Sequence, residues 1–109
     1  MGQKECEAIA KTAAIILGIE PPEIQIKNRK RGRAKIKKRL AIIPQWAGQY
    51  HQAFWTYYVI HEVCHFRQLD HGPDFKFLEQ TVCRYFDIEI TYKRAYPKTL
   101  KFNGELVYG

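Results

Sequence analysis

The sequence predicts a small α+β domain, with about three helices and one small antiparallel sheet, on three observations. Apolar residues recur at helical spacing near the N-terminus and again beyond residue 48, the stretch from Arg33 to Pro44 is rich in β-branched residues, and prolines and glycines mark the boundaries. At 109 residues there is room for one domain, 1–109, and 46% hydrophobic residues are enough to build its core. So short a chain still buries a smaller share of its surface than a larger one, so a metal tie would help it.

The first helix is expected from about Lys4 to Leu17, where Cys6, Ile9, Ala13 and Ile16 share a face and Gly18 stops it. Pro21 and Pro22 break the chain, and Ile24-Gln25-Ile26 alternates as a short strand. Asn28 to Gly32 reads as a turn. Beyond it, Ala34, Ile36, Leu40 and Ile42 sit two or four apart, as along one face of a strand. Lys37 and Lys38 equally suit the corner of a tight hairpin, and Pro44 ends the sheet. A long helix is expected from about Gly48 to Gln68. Phe54, Tyr58, Val59, Ile60, Val63 and Phe66 make it apolar nearly all round, the mark of a helix inside a protein. Leu69 to Pro73 is a break, and Pro73 suits the first turn of a third helix, about Asp74 to Phe86. That helix sets Phe75, Leu78, Val82 and Tyr85 or Phe86 on one side. The tail alternates at Ile88, Ile90 and Tyr92 and then reads as loop.

Composition excludes several classes. No apolar run approaches the roughly 20 residues that span a bilayer. The N-terminus lacks the positive region and cleavage site of a secretory signal, so a soluble, cytoplasmic protein is expected. Cys6, Cys64 and Cys83 are odd in number and show no C-x-x-C spacing, which argues for buried thiols rather than disulfides or a cysteine zinc site. The net charge of +7 is local: Lys27, Arg29, Lys30, Arg31, Arg33, Lys35, Lys37, Lys38 and Arg39 fall in one stretch. Such a stretch suits a lysine-guarded sheet edge, or contact with phosphates and acidic partners.

The chemistry concentrates at His61-Glu62-Val63-Cys64-His65, an H-E-x-x-H pattern on a segment that independently reads as helix. Four residues advance a helix by about 400° and about 6 Å, so both imidazoles leave one face and can reach one Zn²⁺. Glu62 stands beside His61, awkward as a ligand but well placed to take a proton from water. A catalytic zinc needs a third protein ligand and an open position. His71 is favoured, six residues beyond His65, where Gly72-Pro73 can turn it back; Glu79 in the next helix is the other candidate, or a supporting or surface group. Three of the four histidines lie between residues 61 and 71, leaving His51 as a surface or packing residue.

The segment YVIHEVCHFRQLDHGPDF, Tyr58 to Phe75, resembles the signature of the YgjP-like and SprT-like metallopeptidases, and RAKIKKRLAIIPQWA resembles the strand and turn preceding it there. In length the chain is most similar to the minigluzincins. The resemblance implies a minimal zincin fold whose edge strand lines the cleft, for which Leu40-Ala41-Ile42-Ile43 is the candidate. It implies one Zn²⁺ per chain on His61, His65 and His71, with Glu62 as general base and acid toward a peptide or unfolded protein. It also implies latency through a C-terminal segment, here residues 95–109. Tyr92, Arg94, Tyr96, Glu105 and the terminal carboxylate are groups able to fill a cleft, although the alternating residues from Asp87 to Tyr92 equally fit a tail that completes the sheet. Tyr92, Arg94 and Tyr96 are also the candidate donors for an oxyanion. Two alternatives stand beside the peptidase: a zinc hydrolase of nucleotides, and a basic nucleic-acid-binding module with a structural zinc.

Overall fold

The computed structural model describes residues 1–109 and shows an α+β architecture of three helices and two three-stranded sheets. Helix α1, Gln3–Leu17, begins with Glu5 accepting a hydrogen bond from the Gly2 amide at 3.0 Å and ends at Gly18 in the left-handed conformation, φ 70°. Its buried face is Cys6, Ile9, Ala10, Ala13, Ala14 and Leu17. Leu17, four residues beyond Ala13, takes the inward place expected of Ile16, which is 36% exposed. The three alanines let α1 lie close against the second helix. The Arg67 guanidinium, donating to the Leu17 carbonyl at 2.5 Å, ties the end of α1 to the segment after that helix.

The first sheet is mixed rather than antiparallel. Strand β1, Glu23–Lys27, runs parallel to β3, Leu40–Pro44, and β2, Arg33–Lys35, pairs antiparallel with β3, giving the order β1-β3-β2. The chain crosses from beside Pro44 to beside Ile42, at the C-terminal end of β3, to lay down β2, and folds back through the turn at Ile36 to Arg39, where Arg39 holds φ 51°. All five residues of β3 are buried, as in a strand covered on both faces. Leu40 to Ile43 are therefore the centre of the sheet, and the free edge beside the cleft belongs to β2.

A 3₁₀ turn, Gln45–Gln49, leads into α2, Gln52–Cys64. His51 caps this helix, its Nδ1 accepting from the Ala53 amide at 3.0 Å, which explains the histidine left over from the motif. The α-helix is shorter than its apolar run at both ends. At its C-terminus, Phe66 and Arg67 bond back to Val63 and Cys64, three residues away, so the last turn tightens. Helix α3, Pro73–Tyr85, has Pro73 in its first turn and buries Phe75, Glu79, Val82 and Cys83, while Tyr85 faces solvent.

Beyond α3 the chain forms a second sheet. Strands β4, Ile88–Lys93, β5, Tyr96–Phe102, and β6, Glu105–Tyr108, make an antiparallel meander. Asn103 and Gly104, both at positive φ, turn β5 into β6, as Asn-Gly does in two-residue hairpins. Leu100 and Ile88 reach the common core, in which Val59, Ile60, Val63 and Cys64 of α2 are fully buried. Each such aliphatic side chain contributes about 1.5–3 kcal/mol by leaving water. The three cysteines are buried free thiols, and no helix is long and apolar enough to cross a membrane.

Candidate metal centre

Helix α2 is the interior element that carries the site. His61 and His65 stand one turn apart with ring centroids 5.0 Å apart. The chain turns back at Gly72-Pro73, setting the His71 ring 5.0 Å from His61 and 4.6 Å from His65. Phe75, buried in the first turn of α3, lies within 5.0 Å of all three imidazoles and forms an apolar floor that limits their rotation.

The donor set fits a metal ion. One nitrogen from each ring lies within 4.8 Å of the other two. Nε2 of His61 and Nε2 of His71 are 3.2 Å apart, close to the roughly 3.4 Å between two nitrogens that share a tetrahedral zinc. Three neutral imidazoles suit zinc and leave a fourth position free.

Glu79 is the group that organises them. It is 0% exposed, its Oε2 sits 2.7 Å from Nδ1 of His61, and its Oε1 accepts from the Tyr92 hydroxyl at 2.8 Å. The His61 Nδ1–H therefore points at the carboxylate, which leaves Nε2 as an acceptor aimed at His71. Burial works against a charged His61, but the hydrogen bond and negative charge of Glu79 outweigh it and raise its pKa. His65 goes the other way: burial, then the nearby His61 and His71, lower it to about 4. An unprotonated ring is the form a metal ion takes. Of the two downstream candidates, His71 converges with the motif histidines and Glu79 braces one of them from behind.

Glu62 is buried beside His61 and lines the same cleft. Burial pushes its carboxyl up to about 7, helped by Glu79 and opposed by His61. Its other neighbour is backbone. A Cβ on Gly32 would lie 2.7 Å from Glu62 Oε2, 2.5 Å from the Tyr58 ring and 2.9 Å from the Ile42 carbonyl. The Gly32 amide donates to the Tyr58 hydroxyl at 3.0 Å, so glycine permits a close approach that seats the carboxyl. Gly32→Ala is therefore expected to destabilise the fold by about 1–3 kcal/mol through overpacking, and to displace Glu62 enough to cut turnover about 10²-fold. Thermal unfolding and rate measurements check this; an alanine variant with unchanged values for both would remove the seat.

The cleft has a volume of about 670 Å³. Gly32, Arg33 and Ala34 form one side, the three histidines and Glu62 the base, and Tyr96, Pro97 and Tyr108 of the second sheet the other side. Among Tyr92, Arg94 and Tyr96, only Tyr96 lines it, since the Tyr92 hydroxyl is committed to Glu79. The sequence offered Tyr92 as an oxyanion donor or cleft filler and Gly32 as a turn residue, whereas Tyr92 bonds to Glu79 and Gly32 seats Glu62; Phe75 was expected only in the core. Phe75 at least carried a signal, four residues after His71 and in the first turn of the following helix.

The chain matches the family model described as YgjP-like, metallopeptidase domain, over residues 2–88, which takes in α1, the first sheet, α2 and α3. No curated protein and no solved structure gives a match.

Proposed function

Since the chain belongs to the YgjP-like metallopeptidase family, we propose that it is a zinc-dependent peptidase with His61, His65 and His71 as ligands and Glu62 as the proton-transferring group. The observation that carries this reading is the convergence of three imidazoles, one held in a single tautomer by buried Glu79, at the floor of a cleft that also holds Glu62. Zinc, when bound, lowers the pKa of water towards 7 and polarises a carbonyl. The chain supplies the rest. Glu62, with a pKa near 7, takes a proton from the attacking water and returns it to the leaving amine. The free edge of β2 offers backbone hydrogen bonds to an extended peptide, which would add as a further strand.

The C-terminal segment, residues 95–109, supplies Tyr96, Pro97 and Tyr108 to the cleft, and in this reading it narrows access for large substrates. Truncation after Arg94 would be a poor test, because it removes buried Leu100 and the stacking of Tyr108 on Phe54 at 5.0 Å. Tyr96→Ala is the better variant, since this side chain is 67% exposed.

The test is cleavage of an unfolded protein by the zinc-loaded chain and its Tyr96→Ala variant, each with and without a chelator. The expected result is one zinc per chain, cleavage that the chelator stops, and several-fold faster cutting when Tyr96 is trimmed. Cleavage indifferent to the chelator would overturn the zinc peptidase. Equal or slower cutting by the variant would overturn the narrowing role of the tail and leave Tyr96 as a donor or a bystander.

A further inference from the structure

The basic stretch has no acidic partner within the molecule; only Arg39 is engaged, donating to the Glu20 carbonyl at 2.8 Å. Nine lysines and arginines lie between residues 27 and 39, yet the only ion pair in the structure joins His61 to Glu79. Lys35 shows the crowding: the charge of Lys38, then desolvation and the charges of Arg33, Arg29 and Lys27, depress its pKa. Three of these cations, Lys30, Arg31 and Arg33, line the cleft of the metal centre, where Glu62 is the only acidic residue.

The backbone that carries them is anchored. The Gly32 amide donates to the Tyr58 hydroxyl at 3.0 Å, and the Trp46 indole donates to the Lys30 carbonyl at 2.9 Å. Both anchors belong to the elements that floor the cleft, the 3₁₀ turn and α2. Charges that merely guard a strand edge have no need of a segment pinned on both sides of Arg31. Set against apolar and aromatic walls, they focus a positive potential into the cleft.

We infer that the Lys30–Arg33 segment selects acidic peptides. Arg31 and Arg33 receive a carboxylate side chain of the substrate while its backbone lies along the edge of β2. The inference rests on the peptidase reading and names its substrate class. The neighbouring unpaired edge favours a polypeptide over a polynucleotide, because an amide backbone can continue the sheet ladder and a phosphodiester backbone cannot.

The experiment uses fluorogenic peptides identical except for one residue, Glu, Gln or Lys, placed in turn at each position flanking the scissile bond. The full zinc-loaded chain and an Arg31→Gln/Arg33→Gln double variant are compared at low and high salt. The expected result is kcat/KM about tenfold higher for Glu than for Gln at the best position, as for two surface charges acting together. That ratio shrinks with salt and collapses towards one in the double variant. Equal rates for Glu and Gln, or a preference for Lys, would overturn the inference. Should no peptide be cut, the peptidase reading fails separately, and anisotropy titration of the same labelled peptides with the Glu62→Gln chain decides this one. Salt-sensitive binding of Glu over Gln supports it, whereas equal binding or none overturns it. Displacement of the Glu peptide by single-stranded DNA at equal or lower concentration would assign the segment to a polynucleotide and also overturn it.

Discussion

With Glu62→Gln the chain is expected to keep its zinc and lose its turnover by about 10³-fold or more, the range of a missing general base. Glutamine has nearly the same shape and can sit on Gly32 as the carboxyl does, but it cannot accept a proton at the atom that faces the cleft. Folding should not suffer, because the substitution removes a charge that burial already disfavours. Zinc content by atomic spectroscopy, a melting curve and a cleavage assay on one preparation separate the three properties. A variant that still cuts at a tenth of the parent rate would strip Glu62 of its role and leave the histidine site without an identified base.

The second large effect belongs to Glu79. Glu79→Leu leaves the Nδ1–H of His61 and the Tyr92 hydroxyl without their acceptor, both near a fully buried position. Each unmade hydrogen bond to a charged group costs about 1.5–3 kcal/mol, so a loss of about 3 kcal/mol or more is expected. In a domain of this size that lowers Tm by on the order of 10 °C. Zinc affinity should fall about 10- to 100-fold, as when the partner behind a ligand histidine is removed. Glu79→Gln isolates the second effect. Its volume is unchanged and its amide oxygen can still accept from His61, but the negative charge that makes the ring a stronger donor to a metal is gone. The glutamine variant should fold with a smaller drop in Tm and bind zinc about tenfold more weakly. Competition against a chromophoric chelator reads the affinity; parent-like zinc binding in both variants would mean that Glu79 is only a filler between α2 and α3.

The convergence of the three histidines was legible because helix geometry turns a spacing of four into a shared face, and because Gly72-Pro73 signals that the chain turns back after His71. Glu79 was not, since ligand, brace and surface residue all look alike eighteen positions from His61, and only the packing of α3 on α2 separates them. The order β1-β3-β2 was hidden for a similar reason: which strands pair is non-local, and a hairpin alone does not reveal that β3 slides in beside β1. The apolar run Leu40 to Ile43 did hold a usable clue, because a strand with no polar side belongs in the middle of a sheet. Asn103-Gly104 is another, the strongest short-range hairpin signal in the chain, lying in a tail that otherwise reads as loop. Ile16 and Leu17 show the limit of periodicity, since both fit a helical repeat and the contact with α2 chooses between them.

The meander β4-β5-β6 lies almost wholly past the stretch shared with the family, and its side chains hydrogen-bond to the histidine cluster and its brace at one point, Tyr92 to Glu79. In the proposed reading, reaction hardware and gatekeeping are thus mounted on separate parts of one small chain, joined by one phenol and by the packing of Ile88, Ile90 and Leu100 into the shared core. The cleft-lining positions Tyr96 and Pro97 can diversify to admit different cargo while the histidines keep their geometry, provided that the phenol and the buried Leu100 stay. On the peptidase reading, such a division would let a protein this small change its diet without relearning its chemistry.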